Sequence, residues 1–477
     1  MRRCRVARFS FVVIAYNVEP YIRQCLESVM AQTVHDIEIV VVDDRSTDNT
    51  ASIIADTISG DERCSLIRHD DNQGAHLARK TGVAHTHGSH VIFVDGDDRV
   101  EPDLCERLED AYRHDSPDIL RFGRKIISPG MPSESLHRLE ASFNQDTGRR
   151  EGSDILLSVF SDTYEPRGTW SLIDCSFDGG MLRRAFSKMT DRQLGRMQDS
   201  YEFFVVADEA ASMQVLPGYT GLLYSYGTGL SGDGMQSLER FESGQRGIHG
   251  SLKAILDYAE ERDDDVVSQC ARWMRRTVLS IVGRDWSGRL SMADQVASFP
   301  ALRDTWGDTE TAYIVAEPLC ARGEFIWKDG GYPKDEDPCV QWRLLFNSLS
   351  VTDDDDPLVT EKIRHCGSLC RAIEFREDVD MRDDVAGWAD PDRPAEAARK
   401  AARLGEIRQT MGQRSFVRRA ASNRAVRGVA KTLFPQGSKR RKMLVKLLGV
   451  RKIAASGVWR GYGLKTLIAK GRSFLRR

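Results

Sequence analysis

The stretch Val91-Ile92-Phe93-Val94, running without a break into Asp95-Gly96-Asp97-Asp98, constrains this chain more than any other. A short apolar run of this kind reads as a buried strand, and the acids fall where that strand ends. Three carboxylates within four residues repel one another and are costly to hold unpaired. A divalent cation resolves the conflict. Hard oxygen ligands favour Mg²⁺ or Mn²⁺, ions that usually keep waters and bind substrate phosphates as well as carboxylates. The plainer alternative is an acidic turn that caps the next helix near Pro102.

The surrounding sequence places that strand in an open sheet. Phe9 to Ala15, Ile37 to Val42, Ser65 to Arg68 and His90 to Val94 are short and rich in β-branched residues, with Asp118 to Gly123 as a fifth candidate. Between them, Tyr21 to Met30, Asp48 to Ile58 and Ala75 to Ala84 have helical spacing, an alternation that predicts an α/β fold with a mostly parallel sheet and flanking helices. Ligands of such sheets gather outside the carboxyl ends of the strands. The second strand also ends in acids, Asp43-Asp44, which a single capping turn does not explain.

Residues 126 to 165 lack clear periodicity and read as an excursion, after which Tyr201 to Ala211 is helical and Leu222 to Tyr226 strand-like. The Gly-rich stretch Gly227 to Gly234 suggests a first domain over 1–234. A mainly α-helical part over 235–398 and a basic amphipathic tail over 399–477 follow.

The 477 residues suffice for two or three domains, and 41% hydrophobic with 29% charged residues is ordinary for folded chains. A net charge of −3 hides a polarity, because the tail is dense in Lys and Arg and its only acid is Glu406. The ten cysteines show no C-x-x-C pair, which fits a reducing compartment better than a disulfide framework. The apolar run after Arg2, Arg3 and Arg5 is too short for a secretory signal, and nothing approaches the ~20 apolar residues of a membrane span. Cytoplasmic location is expected, with peripheral attachment to the membrane.

Four segments in order carry a family resemblance: Ser10-Phe11-Val12-Val13-Ile14-Ala15-Tyr16-Asn17, Val41-Val42-Asp43-Asp44-Arg45-Ser46-Thr47-Asp48, Asn72-Gln73-Gly74 with Ala78-Arg79, and Phe93-Val94-Asp95-Gly96-Asp97-Asp98. Over about the first hundred residues the chain resembles the family 2 glycosyltransferases of the GT-A fold, of the bacterial cell-surface polysaccharide type. The resemblance implies that Ala15 and Tyr16 line a base pocket and that Asp44 accepts a hydrogen bond from uracil. It sets Arg79 near the nucleotide and makes Asp95 and Asp97 a D-x-D motif. Asp97 and Asp98 are then the metal candidates, for Mn²⁺ or Mg²⁺. Lys80, where the family often has Asn, would add a cation near phosphate. The donor would be a nucleotide sugar, most simply a UDP-sugar, and the acceptor a glycan or lipid-linked molecule.

Transfer also needs a base for the acceptor hydroxyl. The family takes it from a Glu-Asp pair roughly a hundred residues beyond D-x-D; here the stretch reads Gln198-Asp199, so Asp199 is the expected base, with Asp191 and Glu202 as substitutes. By resemblance the displacement is single and inverting. The Gln198 departure leaves open a catalytically degenerate scaffold or carbohydrate-binding protein; a sugar-phosphate nucleotidyltransferase would want an early Gly-rich loop that residues 9–17 lack.

Other signals carry less. Gly227 to Gly232 fits G-x-G-x-x-G but falls late and opens no βαβ unit, so it reads as a turn. His76, His85, His87 and His90 lack the partners of a zinc site. Trp170 is either a sugar-stacking or a core aromatic. In the tail, Lys439 to Lys442 and Trp459 to Ile468 mix cations with apolar residues, which suits an amphipathic anchor on an anionic membrane beside a lipid-linked acceptor, in preference to nucleic acid.

Overall fold

The computed structural model describes residues 7–128, 130–227, 234–328 and 337–374, all within one compact unit, Met1–Val385. The basic tail and its expected membrane contact lie outside the described residues, as do residues 228–233 of the Gly-rich stretch.

The first elements alternate as expected: β1 (Phe9–Ala15), α1 (Ile22–Met30), β2 (Ile37–Asp43), α2 (Thr50–Ile58), β3 (Cys64–Arg68), α3 (Gly74–Ala84) and β4 (His90–Asp95). Every residue of β1 is buried, as a strand covered on both faces requires. β1 pairs in parallel with β2 on one side and β4 on the other, and β3 extends the sheet beyond β2.

The remaining strands make the sheet mixed rather than mostly parallel. In chain order there follow β5 (Arg99–Val100), α4 (Leu104–Tyr112), β6 (Ile119–Ile127), α5 (Ser133–Phe143), β7 (Arg150–Glu151), α6 (Ser153–Val159), β8 (Cys175–Asp178), α7 (Gly179–Lys188), α8 (Gln198–Glu209) and β9 (Ser212–Ser225). The order is β3-β2-β1-β4-β8-β6-β9-β5, with β7 on β9. β8 lies antiparallel between β4 and β6, so the parallel half that carries the acidic strand ends is joined to β6 and β9 through a reversed strand. The stretch without periodicity holds α5, β7 and α6, and α5 buries no residue.

Beyond the sheet come α9 (Leu238–Arg262), α10 (Asp265–Arg289), α11 (Met292–Lys328, broken at Gly307), α12 (Pro338–Asn347) and α13 (Pro357–Glu374). One hydrophobic core runs from Phe9 through Phe203 and Phe204 of α8 to Trp286 and Cys370. Where β6 meets β8, Asp174 is clamped by Arg121 at 2.6 Å and Arg124 at 2.5 Å, all three buried. Burial alone would raise the Asp174 carboxyl, but the two guanidinium groups hold it below the usual carboxylate range.

Candidate functional site

The strand register gathers the acidic ends. Ala15 pairs with Asp43 and Ile14 with Asp95, so the carboxyl ends of β2 and β4 flank that of β1. The turns that follow are tied to the same strand end: Asp44 N donates to Ala15 O and Gly96 N to Ile14 O, each at 2.9 Å. Here a cleft of about 720 Å³ opens, lined by Ala15, Tyr16, Asp44, Arg79, Asp95 and Asp97 among others. Six of the expected site residues therefore share one cavity. Ala15 is buried and Tyr16 leaves 46% of its surface exposed, an apolar floor beside an open ring.

Asp44 is a buried anchor of the cleft. One oxygen accepts from His69 Nδ1 at 2.7 Å and Gln73 N at 2.9 Å; the other accepts from Asn72 Nδ2 at 2.9 Å and Gly74 N at 2.7 Å. These bonds hold the start of α3, where Gly74 has φ +83°, a conformation that side chains rarely adopt. A nucleobase N–H that reaches Asp44 must share or replace one of these donors.

Arg79 is buried and bridges two acids, Asp95 through Nη2 and Glu202 through Nη1, both at 2.9 Å. Burial disfavours its charge, but Asp95 and Glu202 more than offset this and its pKa is raised. Glu202, fully buried on α8, also meets His76 Nδ1 at 3.0 Å, and His76 Nε2 faces Thr190 O at 3.0 Å. A continuous polar chain thus runs from the cleft at Asp95 through Arg79 to α8.

Asp98 does not line the cleft: it is buried, and its Oδ1 accepts from Ser225 N at 2.7 Å, while Oδ2 is buried without a hydrogen-bond partner. Burial, then the neighbouring charges of Asp95 and Asp97, push its carboxyl well above the usual range. A divalent cation fits this donor set, since it would relieve the repulsion and use the orphaned oxygen. Among the described residues no three His, Cys, Asp or Glu side chains are grouped to hold an ion by themselves. An ion here would take further ligands from water and substrate phosphate.

Asp199 stands in the first turn of α8, where Gln198 and not Asp199 lines the cleft. Its Oδ1 accepts from Ser200 N at 2.9 Å. Burial pushes its carboxyl up to about 6, with Arg79 opposing and Glu202 and Asp95 adding to the shift. The helix enters through Met197 at φ 67°, and Asn17 and Arg45, after β1 and β2, are also positive at 51° and 65°. Of the four such non-glycine residues among those described, these three each adjoin in sequence a residue that lines the cleft, Tyr16, Asp44 and Gln198.

The two substitute bases are engaged elsewhere: Glu202 in the chain above, Asp191 exposed and bonded to Lys80 at 2.6 Å. Lys80 also donates to Met189 O at 2.7 Å, which directs it to Asp191 and away from the cleft lining. Trp170 packs against the core with its ring stacked on Phe160 at 6.3 Å, a core aromatic. The other histidines have local partners: Thr81 O for His85, Glu38 for His87 and the Tyr112 ring at 3.9 Å for His90. Sequence reasoning missed His69 and His76 as anchors, and it missed Arg196, Arg240 and Arg289, which line the cleft from beyond the motifs.

The model of glycosyl transferase family 2 matches residues 10–189. The chain carries a family 2 glycosyltransferase domain. Its sheet with flanking helices is of the GT-A type, followed by the helical region. The chain is 31% identical over 185 residues to a putative glycosyltransferase, EpsH, of Bacillus subtilis strain 168, covering 39% of this chain and 47% of that protein. It is 36% identical over 111 residues to a chondroitin synthase of Escherichia coli, 23% of this chain and 16% of that one. The chain thus spans about half, or less, of the length of these curated relatives. Among solved structures, S. aureus TarS 1–349 in complex with UDP is 17% identical with a TM-score of 0.45, covering 77% of this chain and 90% of that one. No helix among the described residues is long and apolar enough to cross a membrane.

Proposed function

We propose that this protein transfers a sugar from a nucleotide donor, a UDP-sugar, to a hydroxyl of a glycan or lipid-linked acceptor in cell-surface polysaccharide synthesis. The observation that carries this reading is the convergence of Tyr16, Asp44, Arg79, Asp95 and Asp97 on one cleft at the carboxyl ends of β1, β2 and β4.

In this reading the exposed Tyr16 ring stacks on the nucleobase, and Asp44 orients it while fixing the loop before α3. Arg79 holds Asp95 in the cleft. Asp97, with Asp98 behind it, holds Mn²⁺ or Mg²⁺, which when bound would stabilise the negative charge of the departing diphosphate. Asp199 takes the proton of the acceptor hydroxyl, and the displacement is a single, inverting one. A carboxyl near pKa 6 suits that task, because it is ionised at neutral pH yet basic enough to accept a proton. Its neighbour Gln198 lines the cleft, which sets Asp199 one residue from the cavity in the first turn of α8. Peripheral attachment through the basic tail, on the cytoplasmic face, would bring the cleft to a lipid-linked acceptor.

The test is release of uridine diphosphate from a panel of UDP-sugars, with and without Mn²⁺. Metal-dependent release is expected; no release and no nucleotide binding would end the proposal. Binding of nucleotide sugars without turnover would favour the second reading, a non-catalytic scaffold, for which Gln198 in place of the family's Glu is the supporting observation.

A further inference from the structure

We propose that the cleft is closed by an anion-binding wall, Arg196 from the loop before α8 with Arg240 and Arg289 of the helical region, which takes phosphate groups of a substrate. All three line the cleft, and all three lie beyond the segment that matches the family. The cleft is electrostatically divided. Its acids, Asp44, Asp95 and Asp97, come from the strand ends, and the charge of Arg79 is already committed to Asp95 and Glu202. The additional cations come from the segment before α8, from α9 and from the end of α10, with Glu239 the acid among them.

The wall is built rather than incidental. Arg196 and Arg289 share one carboxylate, Asp285: Arg196 Nη1 is hydrogen-bonded to it and Arg289 Nη1 lies 3.6 Å away. Arg289 Nε also donates to Gly234 O at 2.9 Å. Two guanidinium groups on one carboxylate leave a positive charge in excess, and their side chains, 32% and 14% exposed, are held in place on the cleft. Arg240 adds an exposed cation in the first turn of α9. The close approach of α9 to the Arg196 loop depends on two glycines: a Cβ on Gly195 would stand 2.7 Å from Gly247 Cα. Arginine forks of this kind match the paired oxygens of phosphate.

Two sources share that chemistry, the diphosphate of a nucleotide donor and a phosphate on the acceptor; only the choice between them rests on the function proposed above. Calorimetry on the full chain in EDTA, with inorganic pyrophosphate, UDP and uridine as probes, tests the wall without metal or turnover. The wild type is expected to bind pyrophosphate, and Arg240→Gln and Arg196→Gln to weaken it about ten- to a hundredfold. Equal weakening of UDP with uridine unchanged assigns the wall to the donor; unchanged UDP assigns it to an acceptor phosphate. Arg240→Gln removes an exposed side chain, so it remains decisive if Arg196→Gln does not fold. Pyrophosphate that fails to bind the wild type, or binds a normally melting Arg240→Gln equally well, overturns the proposal. If UDP alone fails to bind, the donor assignment falls and the wall stands.

Discussion

Arg79 and Glu202 meet at 2.9 Å although 123 residues separate them, and this pair ties the Asp95 side of the cleft to the helix that carries Asp199. Because Glu202 also faces His76, one buried carboxylate serves two cationic or polar partners. Glu202→Gln is expected to lower stability by about 2–3 kcal/mol, since it leaves buried donors imperfectly satisfied. It should also weaken nucleotide binding as Arg79 is no longer held against Asp95. Urea melts and UDP titration measure the two effects; an unchanged melt would remove the pair from the structural account.

Asp97→Ala should abolish metal-dependent release of uridine diphosphate while the protein stays folded, because the side chain faces the cleft and is only half-buried. Release assayed against Mn²⁺ concentration reads this directly. A variant that keeps the wild-type metal response would show that the ion is held elsewhere.

The pH dependence follows from Asp199. Its folded pKa is about 6, so the basic, ionised form prevails above that value and is lost below it. kcat/KM is expected to fall about tenfold per pH unit below 6 and to level off above it. Asp199→Asn should block transfer, with donor affinity retained. Full activity in this variant would take Asp199 out of the mechanism.

Asp174→Ala leaves Arg121 and Arg124 buried without their shared carboxylate. Removal of one member of a buried ion cluster typically costs about 3–5 kcal/mol. Chemical denaturation should show a loss of that size, and a loss under about 1 kcal/mol would mean that solvent reaches the pair.

Much of the site could be read before the fold was known, because its residues sit at strand ends, where apolar runs stop abruptly. β1 is Phe9–Ala15 as its composition predicts, and the acids after β2 and β4 do flank it. What escaped was governed by tertiary contacts. β8 has only four residues, Cys175 to Asp178, and is recognisable only by the strands on either side. β9 begins ten residues earlier than the apolar signal at Leu222, since Pro217-Gly218 reads as a turn. The ladder with β6 tolerates it through register shifts around Gly123. His69 and His76 look like any helix-flanking histidines, and nothing local to Arg289 tells that α10 ends at the cleft.

The seam between sheet and helices has a practical consequence. Phe204 of α8 meets the Tyr258 ring of α9 edge-on at 6.3 Å, and Asp208 receives both the Tyr258 hydroxyl at 2.7 Å and Arg262 Nε at 2.6 Å. A chimera that exchanges everything after β9 for another protein's helices would strip an aromatic face and orphan a carboxylate at once. Transplanting the outer helices therefore calls for grafting the side of α8 that faces α9 along with them.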